Sequence, residues 1–448
     1  MTSTQQAPAA ANYGSSSSNG GDVDTSSANG NPDNAPAAAE EITVLQVFGS
    51  IVMGLLFGLS LEKSRVFEPY FIRTQMTFQT FLMLKTFLAA LSTSALAFAL
   101  FSVAKPELFA AVRFNFDGGN DSTLDCASCS SPYRKGLTVS AAGAFILGIG
   151  MTVAGACPGM VLAQVGAGTH NSGLTLLGGL LGSLAFSLFE SKFRNTYSSA
   201  RASTRHVDAL IGTGYAKIAV ALALGAAAMV AVMDVVVPWQ TELLVNNSDA
   251  TNNVFELRAW PPYIPGIIIG SLQLAAVLVM TDSIGSSSAY TTIVSQLVRF
   301  LPASKRTHTS IDPDPEEDGK KTESAADGGT FQYMESAAVM SAGNLWQVIY
   351  CSFSVLGGFL SSSASQSYGA AKGVTPAAAI VGGFLMLFGS RLGSGCTSGH
   401  GISGFSLLFV NSVVAVPAMF AGGICAAFPM LFLGGFVYSD GSVGAPGW

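Results

Sequence analysis

The chain has 448 residues, 49% of them hydrophobic and only 11% charged, with a formal net charge of −6. A soluble domain carries roughly a quarter charged residues, so this composition excludes one and specifies an all-α, polytopic membrane protein. Glycine, at 50 residues, suits close helix packing in lipid, and no basic, aromatic-bearing patch is arranged for nucleic acid.

Residues 1–42 are rich in Ala, Ser, Asn and Gly with scattered acids, a composition that predicts a disordered tail. They hold no basic start followed by an apolar run, so no cleavable signal peptide is expected and the first membrane helix serves as the insertion signal. Apolar spans follow at 44–61, 76–104, 137–155, 172–189, 210–237, 263–282, 345–362, 376–393 and 412–436. Most reach the ~18–20 residues that cross the hydrocarbon as helix, which gives about nine membrane helices. Lys85 falls inside the second span, where snorkelling or pairing is the expectation.

Loop charge sets an expected orientation. The 190–209 loop carries Lys192, Arg194, Arg201 and Arg205, and the 299–344 loop carries Arg299, Lys305, Arg306, Lys320 and Lys321. Both are therefore expected in the cytosol. The loop 238–262, with Arg258 and the sequon Asn246-Asn247-Ser248, then lies outside. The loop 103–136 bears a second sequon at Asn120 and the pair Cys126 and Cys129, and its side is open. A single CxxC without a second pair at zinc spacing specifies neither a metal site nor a redox motif. The expected organisation is a first membrane half at 43–237, an external loop at 238–262 and a second half at 263–436, with a C-terminal tail at 437–448. The second half contains a charged, solvated linker at 303–330.

The two halves are alike. Gly54-Leu-Leu-Phe-Gly58 is echoed by Gly266-Ile-Ile-Ile-Gly270, and the glycines from Gly143 to Gly150 overlay those from Gly382 to Gly389. That register sets Cys157 on Cys396 without a gap, so an internal repeat is expected, each half breaking at a cysteine.

Both breaks are polar stretches set between apolar runs. The first is Gly155-Ala-Cys157-Pro158-Gly159. The second, Gly389 to Gly404, holds Arg391, Gly395, Cys396, Thr397, Ser398, Gly399 and His400. Broken backbone at membrane depth is tolerated only where protein or a cavity surrounds it, so the pair predicts a shared site near the membrane middle. Thr397 or Ser398 is the expected N-cap of one short half-helix, and Pro158 the first residue of the other. Each cysteine then sits at a helix start whose free N–H groups and partial positive charge favour an anion and lower a thiol pKa.

Arg391, ionisable within an apolar span, attracts an anion or pairs with a carboxylate. His400 lies four residues after Cys396, on the same helical face. Cys with His fits a soft metal or a thiol with a proton partner, and a merely hydrogen-bonded histidine is the alternative. His170 and Asn171 follow the first motif. Gln164 and Ser403 occupy matching positions in the two halves, where they line a pore or bridge helices. Cys351 and Cys425 lie mid-span without polar company and are expected to pack.

The run from Arg391 to Gly404 resembles the signature of the YeeE/YedE sulfur-transport family, the thiosulfate-uptake proteins, and Gly155-Ala-Cys157-Pro158-Gly159 resembles that family's first-half motif. The resemblance spans about 44–436 and excludes the N-terminal tail and the linker. It implies an hourglass-like fold of two inverted halves whose short half-helices meet at a central constriction. It also implies that thiosulfate passes there by transient S–H hydrogen bonds to cysteine thiols, Cys157 and Cys396 being the matching positions. The substrate-binding residues expected with them are Arg391, His400, Thr397, Ser398, Gly155, Pro158, Gly395 and Gly399. The family's further cysteine after the first helix has no counterpart in Glu62-Lys-Ser-Arg65-Val-Phe67.

No catalytic residue, cofactor or metal is expected, and no nucleotide-binding loop is present for ATP-driven transport. The expected partners are thiosulfate, the lipid bilayer and a cytosolic sulfur-acceptor protein, with the chain crossing the plasma membrane, or in the alternative an organelle membrane, several times. Two other readings stand beside this one: a membrane sulfurtransferase that carries a cysteine persulfide, and a permease for selenium compounds or a soft metal using Cys396 and His400.

Overall fold

The computed structural model describes residues 43–116, 136–197, 206–243, 254–299 and 345–444, without the side chains of 189–197 and 297–299. The expectations for residues 1–42, Cys126 and Cys129, both sequons, the linker at 303–330 and the basic side chains of the two expected cytosolic loops lie outside the described residues.

Helices occupy all nine predicted spans. The first half contains α1 (Val44–Lys63), α2 (Pro69–Met76), α3 (Leu82–Ala104), α4 (Pro106–Phe116), α5 (Leu137–Ala154), α6 (Pro158–Gly166) and α7 (Ser172–Tyr197). After α8 (Val207–Ile211), α9 (Tyr215–Val236) and the single turn α10 (Trp239–Glu242), the second half begins. It contains α11 (Tyr263–Ala275, continued in a wide turn to Met280), α12 (Ser287–Arg299), α13 (Leu345–Ala364), α14 (Pro376–Leu392), α15 (Thr397–Gly404, wound as a wide π-type helix) and α16 (Val410–Gly434). Among the described residues 7 helical spans are long and apolar enough to cross a membrane, or 8 if the bent pair α14–α15 is one span, and Ser172–Leu188 is a shorter apolar helix. The protein is an all-α polytopic membrane protein.

Local chemistry explains several helix starts. At α1, Thr43 and Gln46 form a reciprocal capping box with bonds of 3.0 and 3.3 Å. α2, α6 and α14 each begin on a proline, whose missing N–H costs nothing there.

The packing is reciprocal between halves. α1 lies along α13 and α11 along α3; α5 lies along α16 and α14 along α7; α5 and α14 cross each other. Glycines set these approaches. A Cβ on Gly54 or Gly58 would strike the carbonyl oxygens of Tyr350 and Ser354 in α13, and one on Gly266 or Gly270 those of Thr86 and Ala90 in α3. At the α5–α14 crossing, Gly143 and Gly150 abut the backbone of Gly393 and Met386, while Gly382 and Gly389 abut that of Ala154 and Leu147. Lipid is as apolar as a leucine side chain, so helices in it associate through this close van der Waals contact.

α9 packs on α3 and stands outside the reciprocal pattern. The buried Lys85 ammonium on α3 ties it there, 2.9 Å from Glu242 and 3.3 Å from Asp234, with the Val237 carbonyl as a further acceptor. Lys85 thus pairs rather than snorkels, as a desolvated cation requires.

The expected C-terminal tail starts inside the packed unit. β1 (Phe436–Val437) and β2 (Val443–Gly444) pair antiparallel, and Phe436 and Tyr438 are buried. Arg73, itself buried, donates to the Val437 carbonyl and lies 5.7 and 5.4 Å from the Phe436 and Tyr438 rings. Aromatic stacking on a guanidinium that sequence gave no reason to place there holds the segment in position.

Candidate functional site

Two half-helix starts build the site. After α5 the chain turns left-handed at Gly155 (φ 62°), and Cys157 then caps α6 from extended backbone (φ −103°, ψ 167°). Its Sγ accepts the Met160 amide at 3.4 Å, and Pro158 is the first helical residue. After α14 the chain turns left-handed at Ser394 (φ 66°), and Cys396 caps α15 with nearly the same geometry (φ −101°, ψ −177°). Pro158 stands where the sequence places it. The second cap differs: Cys396 itself is the extended residue, and Thr397 and Ser398 lie inside the first turn. Their hydroxyls are engaged elsewhere, Thr397 donating to the sulfurs of Met151 and Met419 at 3.3 and 3.4 Å, and Ser398 lying 3.2 Å from Cys396 Sγ.

The two starts converge. Ser286 Oγ stands 3.6 Å from the Cβ position of Gly159, in the first turn of α6, and also meets the second start. Cys396 Sγ is 3.7 Å from Ser286 Oγ, which belongs to the connection between α11 and α12. The Ser286 carbonyl in turn lies 4.0 Å from Cys351 Sγ on α13. The Tyr290 hydroxyl donates to the Pro158 carbonyl at 2.7 Å, and the Phe57 ring covers Gly159. Cys396, Thr397, Ser398 and Cys351 are buried, Cys157 is half-buried, and all three cysteines are free thiols. Cys425 is exposed on α16. Thiols, hydroxyls and thioethers therefore gather at this cluster, and none of the side chains named carries a formal charge.

The supports of each break match across the halves. Gln164 on α6 donates to the Phe67 and Gly155 carbonyls at 2.7 and 2.9 Å. Ser403 on α15 accepts from Gln273 at 2.5 Å and donates to the Ile284 carbonyl at 2.9 Å. Of the two roles open to Gln164 and Ser403, both take up the bridging one.

His400 is held from both sides: Nε2 lies 2.9 Å from the Gly393 carbonyl and Nδ1 3.1 Å from Ser412 Oγ. Nε2 must be the donor to a carbonyl, which leaves Nδ1 to accept the Ser412 hydroxyl in the neutral ring. The imidazole packs over Gly395, where any Cβ would collide with it, and Gly399 lies close to Cys396 Sγ. Arg391 sits half-buried in the last turn of α14. His170 and Asn171 lie apart from the waist, the exposed His170 against Gly373 and Asn171 donating to the Val374 carbonyl at 2.8 Å. Among the described residues no three His, Cys, Asp or Glu side chains gather as a metal set.

Sequence reasoning missed Ser286, Tyr290, Met151 and Met419, and took Cys351 for packing alone. The one available signal was the serine run Ser286-Ser287-Ser288 closing an apolar span.

A cavity of about 570 Å³ opens on the side of the 64–70 connection and is lined by Arg65, Glu68, Tyr70, Arg258, Lys372 and Tyr438 among others. Arg65 pairs with Glu62 at 3.1 Å and with Glu68, and Lys372 pairs with Asp440 at 2.7 Å. Arg258 is the cation left without an ion pair among the described lining residues. The bonds from Gln164 to Phe67 and Gly155 tie the 64–70 connection to the turn before Cys157.

A family model described as sulphur transport matches residues 63–425, a stretch that includes both cysteine breaks. No curated protein matches the chain.

Proposed function

The chain belongs to the sulphur-transport family, and from that membership we propose that it passes thiosulfate, or a close small sulfur anion, through the waist between Cys157 and Cys396. The observation that carries this reading is the convergence of two cysteine-capped half-helix starts on one buried cluster around Ser286. The anion collects in the cavity beside the 64–70 connection, which serves as the mouth of the path, where Arg258 attracts it, and sheds water as it reaches Cys157. Its terminal sulfur accepts the Cys157 S–H and then the Cys396 S–H, while the N–H ends of α6 and α15 offset its charge. Neutral thiols suit this step, because thiolates would repel the anion.

Thr397 and Ser398 complete the polar lining. Gly155 and Pro158 shape the first turn, and Gly395 and Gly399 leave room in the second. Arg391 and His400 act by positioning, with His400 clamping the end of α14 to the start of α16. The reciprocal helix and glycine packing supports reading the halves as an inverted repeat, with the waist on its axis. On the inner side a cytosolic sulfur-acceptor protein takes the anion, and the membrane is the plasma membrane.

Uptake of radiolabelled thiosulfate into proteoliposomes, with sulfite, sulfate and selenite as competitors, tests the substrate. Thiosulfate is expected to compete best. Equal competition by sulfate would refute a role for the soft sulfur atom.

A further inference from the structure

We propose that Tyr350, Ser286 and Cys351 form a second binding station behind Cys396, which holds the oxygen-bearing end of a sulfur oxyanion while thiols hold its soft sulfur. The station rests on the transport reading above.

The first observation is Tyr350. It is 1% exposed, and its hydroxyl has no hydrogen-bond partner among the described residues. Buried hydroxyls are nearly always bonded, and a position that needed only an aromatic body would be served by phenylalanine. The neighbouring Tyr290 illustrates the rule, its hydroxyl bonded to the Pro158 carbonyl. The Tyr350 ring is fixed between Phe57 and Trp346, with centroids at 5.3 and 6.5 Å, and its backbone carbonyl abuts Gly54. So held, Tyr350 packs on the same Phe57 ring that covers Gly159 beside Cys157, and Ser286 Oγ stands 3.6 Å from the Cβ position of that glycine.

The second observation is the bridge made by Ser286. Its hydroxyl reaches Cys396 Sγ at 3.7 Å and its carbonyl lies 4.0 Å from Cys351 Sγ, so one residue spans the two thiols. The side chains gathered here are two hydroxyls and two thiols, all able to donate, and no carboxylate stands among them. Such a set suits an anion. Hydroxyls are the better donors to oxygen and thiols the better match to a polarisable sulfur, so the station favours a small anion that has both a sulfonate end and a sulfane end. Sulfate lacks the second, and sulfide lacks the first.

Tyr350→Phe removes one O–H and keeps the ring. A purely packing Tyr350 predicts unchanged or raised thermal stability and unchanged uptake in proteoliposomes. The station predicts the same stability but a KM for thiosulfate raised about tenfold or more, the loss of one hydrogen bond to a charged acceptor. Cys351→Ser, which keeps a donor, should retain more uptake than Cys351→Ala at matched stability. Uptake like the unsubstituted protein in both Tyr350→Phe and Cys351→Ala overturns the station. Cys157→Ala and Cys396→Ala in the same vesicles separate the two ideas. If only these lose uptake, the station fails alone; if all four variants transport normally, the transport reading fails with it.

Discussion

Gly155 and Ser394 hold the same left-handed backbone, with φ of 62° and 66°, each two residues ahead of the cysteine that caps a half-helix. The first half meets this geometry with the residue that adopts it freely, and the second half pays a steric cost at a serine. Ser394→Gly should therefore raise thermal stability by about 1 kcal/mol. Gly155→Ala should lower it by roughly 2–4 kcal/mol, because the new Cβ is both left-handed and driven into Pro69. Melting curves of the detergent-solubilised protein check both signs. A destabilised Ser394→Gly would mean that the serine side chain holds the turn.

The reciprocal glycine contacts make a paired prediction. Gly58→Ala and Gly270→Ala each push a Cβ against a helix carbonyl, of Ser354 and Ala90 respectively, and should each cost about 1–3 kcal/mol. Gly225→Ala in α9, where a Cβ meets nothing within 4 Å, should be neutral or gain up to ~1 kcal/mol. Thermal unfolding compares the three. Equal tolerance at all three positions would contradict the close crossings.

Much of this was legible beforehand, and the reason is physical. Apolar runs, glycine spacing and cysteines at breaks are local features, so the helices at the predicted spans and the two cysteine-bearing breaks could be read directly. Cys351 could not, because its neighbour Ser286 lies 65 residues away in the chain and only folding brings α13 against that connection. The second cap was misassigned for a related reason. A hydroxyl favours the N-cap only when it is free to bond the helix amides, and Thr397 commits its own to Met151 and Met419. Gln164 and Ser403 matched in sequence, but their bonds to carbonyls 97 and 119 residues away decided that they bridge.

At the far edge of the first half, Arg113 grips Asp208 in two bonds of 2.7 and 3.2 Å. Partial burial pushes the Asp208 carboxyl up, but the hydrogen bonds and charge of Arg113 outweigh it and hold the group below its usual range. A depressed carboxyl contributes stability above its unfolded pKa of about 4 and loses it as pH falls through the folded value. Melting temperature measured from pH 6 downward should therefore fall below about pH 4, more steeply in the unsubstituted protein than in Asp208→Asn. Parallel curves would remove Asp208 from the account.

Arg258 tests the mouth. If its charge draws the anion in, Arg258→Gln should slow uptake several-fold at low salt, and the difference should shrink as ionic strength shortens the Debye length toward ~8 Å. Initial rates measured across a salt series decide it. A deficit independent of salt would point to a structural role for Arg258.

The central claim is that two thiols at two half-helix starts carry the anion. Initial rates of radiolabelled thiosulfate uptake by Cys157→Ala and Cys396→Ala proteoliposomes, matched for inserted and thermally intact protein, test it most directly. The account predicts that each single substitution abolishes uptake. Normal rates in both variants would contradict it.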